Sequence, residues 1–311
     1  MAGLQRRRCR DCRGRFDPGL PYLQRAQGGR RGRIVSKRVL ITGSSTGIGF
    51  ETCKLFADKG YEVFAGVRQQ KDYDRLNTMM DSVRAIYLDV TKPEDVAKAY
   101  ELLDSLTKPA DAFVLVNNAG VALAGPSECI TAEDLKWQMD VNLLGVHRVT
   151  SMMLPLLRRS KGRVVNIGSI SGRMAAPFFS PYAASKFALD GYTDSLRREV
   201  APLGVTVTMV NPGPTKTPIW DKSLESSLAR IEGHPALPVY ADGMNLVKKL
   251  AMESGENGVP AREVADKIYY AATTRRPRSR YYVGKGIDAT NKLSHWLPDS
   301  VLDRLVLQRF K

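Results

Sequence analysis

Histidine is scarce in this chain, with three residues in 311: His147, His234 and His295. A serine–histidine–acid hydrolase, or a metal centre built on imidazoles, has little to draw on. Cysteine is nearly as rare. Cys9 and Cys12 form an isolated C-x-x-C with no second half, so no metal site is expected, and only Cys53 and Cys129 lie further along. Such usage argues against a disulfide-stapled secreted fold and for a reducing, cytoplasmic setting. No apolar run reaches the ~18 residues that a membrane-crossing helix needs.

Acidic residues are missing mainly from one end. Residues 1–38 hold eleven Arg and one Lys against two Asp, which is most of the formal net charge of +15. The stretch 1–36 is rich in Arg and Gly and has no apolar period, so it reads as a disordered basic extension. It shares its arginines with organelle-import leaders, but Ser36 is its only serine. Import is therefore the alternative to a cytoplasmic location. Because the charge is terminal, no nucleic-acid partner is expected of the folded body.

From Arg38 onward, short β-branched runs such as "RVLIT", "YEVFAGV", "FVLVNN" and "GVTVTMV" alternate with segments of helical length and period. Near-continuously apolar strands separated by helices predict a parallel sheet covered on both faces. With right-handed crossovers this is a single-domain, three-layer, doubly wound α/β fold of Rossmann type over residues 37–290. The alternation breaks at 218–258, an insertion expected to cover the substrate. Residues 291–311 form an amphipathic tail, expected to pack on the body or on a second subunit, with weak membrane-surface contact as the alternative.

The first strand runs into Thr42-Gly43-Ser44-Ser45-Thr46-Gly47-Ile48-Gly49 and then a helix. Glycines at such a turn let backbone approach a pyrophosphate, and the helix N-terminus supplies N–H donors. The same residues also fit G-x-S-x-G, a hydrolase nucleophile elbow, which would need a histidine and an acid downstream. Further on, Tyr182 and Lys186 stand four residues apart, on one helix face, one turn from each other. Ser180 and Pro181 ahead of them read as the N-cap and the first helical residue.

These motifs carry a resemblance. T-G-x-x-x-G-x-G, Asn117-Asn118-Ala119-Gly120, Ser169 thirteen residues before Tyr182, Y-x-x-x-K, and Pro212-Gly213 follow in one order. Over roughly residues 38–285 the chain resembles the short-chain dehydrogenases/reductases, in the single-domain branch with a catalytic tetrad. It looks most like the retinol and hydroxysteroid dehydrogenases and their bacterial relatives.

The resemblance implies hydride exchange between a nicotinamide and an alcohol or carbonyl carbon. Tyr182 would move the hydroxyl proton, and Lys186 would favour its phenolate and bind the nicotinamide ribose. Ser169 would hold the substrate oxygen, and Asn142 would hold a water that relays protons to the lysine. A phenol of ordinary pKa near 10 is a poor base at neutral pH, so a nearby ammonium and the cationic ring are expected to lower it. The glycine loop, through Gly43, Ser45, Thr46, Gly47, Ile48 and Gly49, would hold the pyrophosphate. Asp89 and Val90 would touch the adenine, and Asn118, Ala119 and Gly120 the ribose side. Pro212, Gly213, Thr215 and Thr217 would flank the carboxamide.

Cofactor choice follows from charge. After the second strand, "VFAGVRQQ" has no acid to bind both ribose hydroxyls of NAD, but it has Arg68 to pair with a 2′-phosphate. NADP(H) is therefore expected over NAD(H). Trp220, Leu224, Leu228, Ile231, Val239, Tyr240 and Met244 in the insertion are expected to line a pocket for a lipophilic, retinoid- or steroid-like substrate. A 3-oxoacyl-thioester or broad carbonyl reductase is the alternative, as is a dinucleotide-sensing protein without turnover. Long helices near 131–157 and 180–202 suit a homodimer or homotetramer.

Overall fold

The computed structural model describes residues 36–308, with the backbone alone at 221, 222, 290 and 292–295. The basic extension expected over 1–36, with its Cys9–Cys12 pair, lies outside these residues except for Ser36. So do the last three residues of the expected tail.

Strands and helices alternate as β1 (Lys37–Ile41), α1 (Gly47–Asp58), β2 (Glu62–Val67), α2 (Gln70–Met79), β3 (Val83–Tyr87), α3 (Pro93–Leu106) and β4 (Ala112–Asn117). Next come α4 (Ala132–Met139), α5 (Gly145–Ser160), β5 (Arg163–Ile167), α6 (Ser180–Val200) and β6 (Thr206–Pro212). The chain closes with β7 (Thr215–Lys216), α7 (Ile219–Ile231), α8 (Ala241–Asn257), β8 (Val259–Pro260), α9 (Ala261–Thr273), β9 (Arg280–Val283), α10 (Ile287–Trp296) and α11 (Asp299–Gln308). The main sheet runs β3-β2-β1-β4-β5-β6-β9, all parallel. The order reverses between β1 and β4, and that switch point opens a crevice at the carboxyl ends of the strands.

Strand residues explain the three layers. Val39 and Ile41 pack with Phe56 of α1 and with Val264 and Ile268 of α9 on one face. Leu40 points the other way, toward Leu103 of α3 and Leu157 of α5. Both faces are covered, so alternate positions are all apolar, and each such side chain contributes about 1.5–3 kcal/mol on burial. Beneath the crevice, Asn117 donates to Thr150 Oγ1 (2.9 Å) and Asn166 Oδ1 (2.8 Å), and Asn166 donates to Thr193 Oγ1 (2.9 Å). This buried amide chain braces β4 and β5 against α5 and α6.

The insertion forms two helices, α7 and α8. Its two ends are stitched by a short parallel pair, with Thr215 opposite Val259 and Lys216 opposite Pro260. A π-helical turn at Asp140–Leu144 joins α4 to α5. Just ahead of the expected tail, Ile287 of α10 closes on Gly213, where an added Cβ would come 2.6 Å from its Cδ1. No residue of α11 is fully buried, and Leu302 and Val306 are half-buried along it.

Candidate active site

β1 ends at Ile41 and must turn into α1 within a few residues. Gly43 (φ +67°) and Gly47 (φ +59°) supply the left-handed backbone that this turn needs. A Cβ on Gly43 would come 2.7 Å from Ala119 Cα. The loop after β4 locks the turn: Thr42 Oγ1 accepts from the N–H groups of Asn118 (3.0 Å) and Ala119 (2.9 Å). The Asn118 amide in turn donates to the carbonyls of Thr42 (3.0 Å) and Gly43 (2.9 Å). Thr46 is the N-cap of α1 but makes no side-chain capping bond. A glycine-cleared helix start with uncapped N–H donors fits the pyrophosphate of a dinucleotide.

Gly43, Ser45, Thr46, Gly47, Ile48, Arg68, Asp89, Val90, Asn118, Ala119, Gly120, Pro212, Gly213, Thr215 and Thr217 line a single cleft, together with Ser169, Tyr182 and Lys186. Gly49 and Asn142, expected among them, do not line it. Gly49 is pressed under the loop, where a Cβ would sit 2.3 Å from the Gly43 carbonyl oxygen and 2.5 Å from Asn118 Nδ2. Asn142 is buried in the π-turn. Its Nδ2 donates to Val121 O (2.9 Å) and Ser185 Oγ (3.0 Å), and its Oδ1 accepts from Val121 N (2.9 Å). That side chain clamps the loop after β4 to α6 and commits both amide donors, so a relay water would have to be held by an acceptor oxygen of Asn142.

Ser169 follows β5 and accepts from Ser171 N at 3.1 Å. Its hydroxyl lies near enough to the Tyr182 phenol to favour the phenolate. One turn along α6, Lys186 Nζ lies 5.8 Å from the Tyr182 ring centroid. It donates to the Ile167 carbonyl at 3.0 Å. The helix begins one residue earlier than expected: Phe179 is the N-cap and Ser180 is helical. The Ser180 hydroxyl pairs with Ser127 Oγ at 2.9 Å instead of capping.

A phenol, an ammonium and a hydroxyl thus meet beside the glycine loop. The sequence signature described as short chain dehydrogenase matches residues 37–227. The chain belongs to the short-chain dehydrogenase family. It is 33% identical over 279 residues to an NADPH-dependent 3-dehydrocapnine reductase of Ornithobacterium rhinotracheale, spanning 88% of this chain and 96% of that protein. It is 34% identical over 279 residues to human retinol dehydrogenase 5, spanning 86% and 87%. The fold matches a short-chain dehydrogenase from Streptomyces avermitilis with a TM-score of 0.69 at 26% identity, over 87% of this chain and 94% of that one. The protein is an oxidoreductase of alcohols and carbonyls.

In this dehydrogenase burial dominates the proton chemistry. It raises the Tyr182 phenol above its ordinary value, and the Ser169 hydrogen bond only partly opposes it. Burial of the phenol thus opposes the acidification expected from the sequence, which the cationic nicotinamide ring would also have to drive. Burial also pulls Lys186 down to about 8. Asp89 behaves otherwise: burial pushes its carboxyl up, but bonds from the Thr91 N–H (3.0 Å) and hydroxyl (2.7 Å), with the charges of Arg68 and Lys92, carry it below the usual range. Arg68 is thus close enough to act on Asp89 at the adenosine end.

The lid corrects the expected pocket lining. Ile231 and Met244 form a buried core with Cys129, and Leu228 packs against it. Val239 is 81% exposed. Ile231, Met244 and Leu228 thus seal the insertion to the body and Val239 faces outward; of the expected residues Trp220 lines the cleft, with Ile219, Ser223 and Ser226 of α7 beside it. Trp137 of α4 and Ile170 also line it, and the sequence reading missed both. The spacing of Trp220, Ser223 and Ser226 at three-residue steps marks one helix face and would have exposed the latter two. Arg75 went unnoticed as well: it donates to the Ser45 carbonyl within the glycine loop and lies 5.0 Å from the Phe50 ring.

Proposed function

We propose that this dehydrogenase uses NADP(H) in preference to NAD(H) to interconvert a lipophilic alcohol and its carbonyl, with Tyr182, Ser169 and Lys186 as the reacting side chains. The meeting of Ser169, Tyr182 and Lys186 in the cleft that the glycine loop also lines carries the reading. Two hydroxyls side by side can each turn to donate to one carbonyl oxygen when a substrate is present, and so stabilise the charge that develops there. A bound nicotinamide dinucleotide supplies or takes the hydride.

In the reducing direction the phenol gives its proton to the forming alkoxide. A phenol raised by burial keeps that proton at neutral pH, which suits a general acid. The buried Lys186 ammonium then stabilises the phenolate left behind. Asn142 holds Val121 and Ser185 in register, and a water on one of its acceptor oxygens would relay protons to Lys186. Arg68 would pair with a 2′-phosphate, and the cleft-facing Trp137, Ile170, Ile219 and Trp220 give an apolar wall to the substrate. A relative named as NADPH-dependent agrees with the cofactor preference.

The test is steady-state reduction of a panel of apolar ketones with NADPH and with NADH. NADPH-dependent turnover that vanishes in Tyr182→Phe supports the reading. Turnover that survives this change, or that prefers NADH, overturns it.

A further inference from the structure

Helical serines and threonines in this chain usually bond back to their own helix. Thr52 donates to Ile48 O, Thr193 to Leu189 O, Ser254 to Leu250 O and Thr273 to Tyr269 O, each at 2.7 or 2.8 Å. Such bonds satisfy a hydroxyl that would otherwise go without a partner. On α7 the pattern stops. Ser227 is fully buried and accepts from the Ala124 N–H at 3.0 Å. Ser223 and Ser226, half-buried on the cleft side, have no hydrogen-bond partner among the described residues.

The neighbouring wall is apolar. The Trp220 indole N–H is spent on the Thr215 carbonyl at 2.8 Å, so that ring offers the cleft only carbon. Trp137 has its ring under the Arg230 guanidinium, at 4.2 Å. Ile170 and Ile219 complete this side. Among the described residues, Lys186 is the one charged side chain that lines the substrate half, since Arg68 and Asp89 lie at the adenosine end. Two unspent hydroxyls in an apolar wall, away from charge, suit an uncharged hydrogen-bonding group. A carboxylate or phosphate there would be desolvated against serine hydroxyls alone, which is costly.

We infer that the substrate is amphipathic: a hydrocarbon alcohol or ketone that carries a second, uncharged hydroxyl, received by Ser223 and Ser226 of the lid helix. The inference deepens the proposed reading and rests on it for the identity of the cleft. It excludes charged head groups at this end of the molecule.

Three ketones test it: 2-decalone, its 6-hydroxy derivative and its 6-carboxylate. Reduction by NADPH gives kcat/KM, and calorimetry on the NADP+-loaded protein gives binding without turnover. The wild type is expected to favour the hydroxy-ketone over 2-decalone by about tenfold, the scale of one or two net hydrogen bonds. That ratio should collapse toward unity in Ser223→Ala/Ser226→Ala, with a smaller loss in each single variant. A hydroxyl preference in calorimetry that the double variant loses supports the inference even if no ketone turns over, in which case the proposed reaction fails alone. An equal ratio in wild type and double variant overturns the inference, as does a preference for the carboxylate or binding of none of the three.

Discussion

Lys186 donates to the carbonyl oxygen of Ile167 at 3.0 Å, and Ile167 is the last residue of β5, two before Ser169. One bond therefore ties the helix that carries the phenol to the strand that carries its hydroxyl partner. Burial has already brought this lysine down to about 8. The alkaline limb of the reduction rate should fall near that pH, as the ammonium that supports the phenolate loses its charge. In Lys186→Arg the guanidinium stays charged, and the limb should move upward at a lower overall rate. A pH profile of kcat/KM from 6 to 10 reads both, and an unmoved limb would assign the titration to another group.

Tyr182→Phe removes the proton donor and keeps the ring. Loss of about 10²–10⁴ in kcat is expected, the range of general acid–base catalysis. The ring still fills its place, so thermal stability should change little. NADPH binding, measured by fluorescence, should persist.

Arg68 is exposed at the end of β2 and acts on Asp89 through space. Arg68→Ala should raise the KM for NADPH about tenfold, with NADH little affected, because a charge-assisted phosphate contact is lost. Added salt should erode the wild-type preference in the same direction. Equal effects on both cofactors would move the 2′-phosphate contact elsewhere.

Arg230 on the lid helix reaches Asp134 at 2.5 Å and covers Trp137. Asp134 is buried, so Arg230→Ala leaves a carboxylate without its cation and frees the indole that walls the cleft. The expected result is a rise in substrate KM that exceeds any fall in kcat, with cofactor KM nearly constant. Steady-state kinetics in both substrates separates these terms.

Stability has its own test at the opposite end of the sheet. Arg38, buried at 8% exposure, bonds Asp111 at 2.6 Å and Glu62 at 2.7 Å. Burial alone would raise the Asp111 carboxyl, but the N–H groups of Lys108 and Ser36 and the Arg38 guanidinium carry it below its ordinary range. A carboxyl lowered on folding stabilises above its unfolded pKa of about 4, and the gain is lost as pH falls through the folded value. Asp111→Ala should cost about 3 kcal/mol at pH 7 by leaving the arginine short of a partner. The gap from wild type should narrow in acid, as read by denaturant titrations at several pH values.

The layered sheet was legible because its strands are near-continuously apolar, a pattern that a sheet covered on both faces favours. The cleft was legible because Gly43 follows the first strand, Tyr182 and Lys186 stand one helical turn apart, and Ser169 lies thirteen residues before the tyrosine. What escaped depends on contacts remote in sequence. Nothing near Asn142 announces that Val121 and Ser185 will use up its amide. Leu228 and Met244 looked like pocket lining because composition cannot say which side of a lid helix is inward. The phenol's proton affinity depends on how deeply α6 sinks, which no motif records.

The pairing of Thr215 with Val259 and of Lys216 with Pro260 brings the two ends of the insertion together. The chain of that segment leaves and returns at one seam, like a bag closed by a drawstring, while its inner side rests on the body at Cys129, Asp134 and Ala124. Its contents can therefore be exchanged, in length and in chemistry, while the seam keeps the reacting groups in place. Descendants of such a chain can change what they accept without relearning how to react.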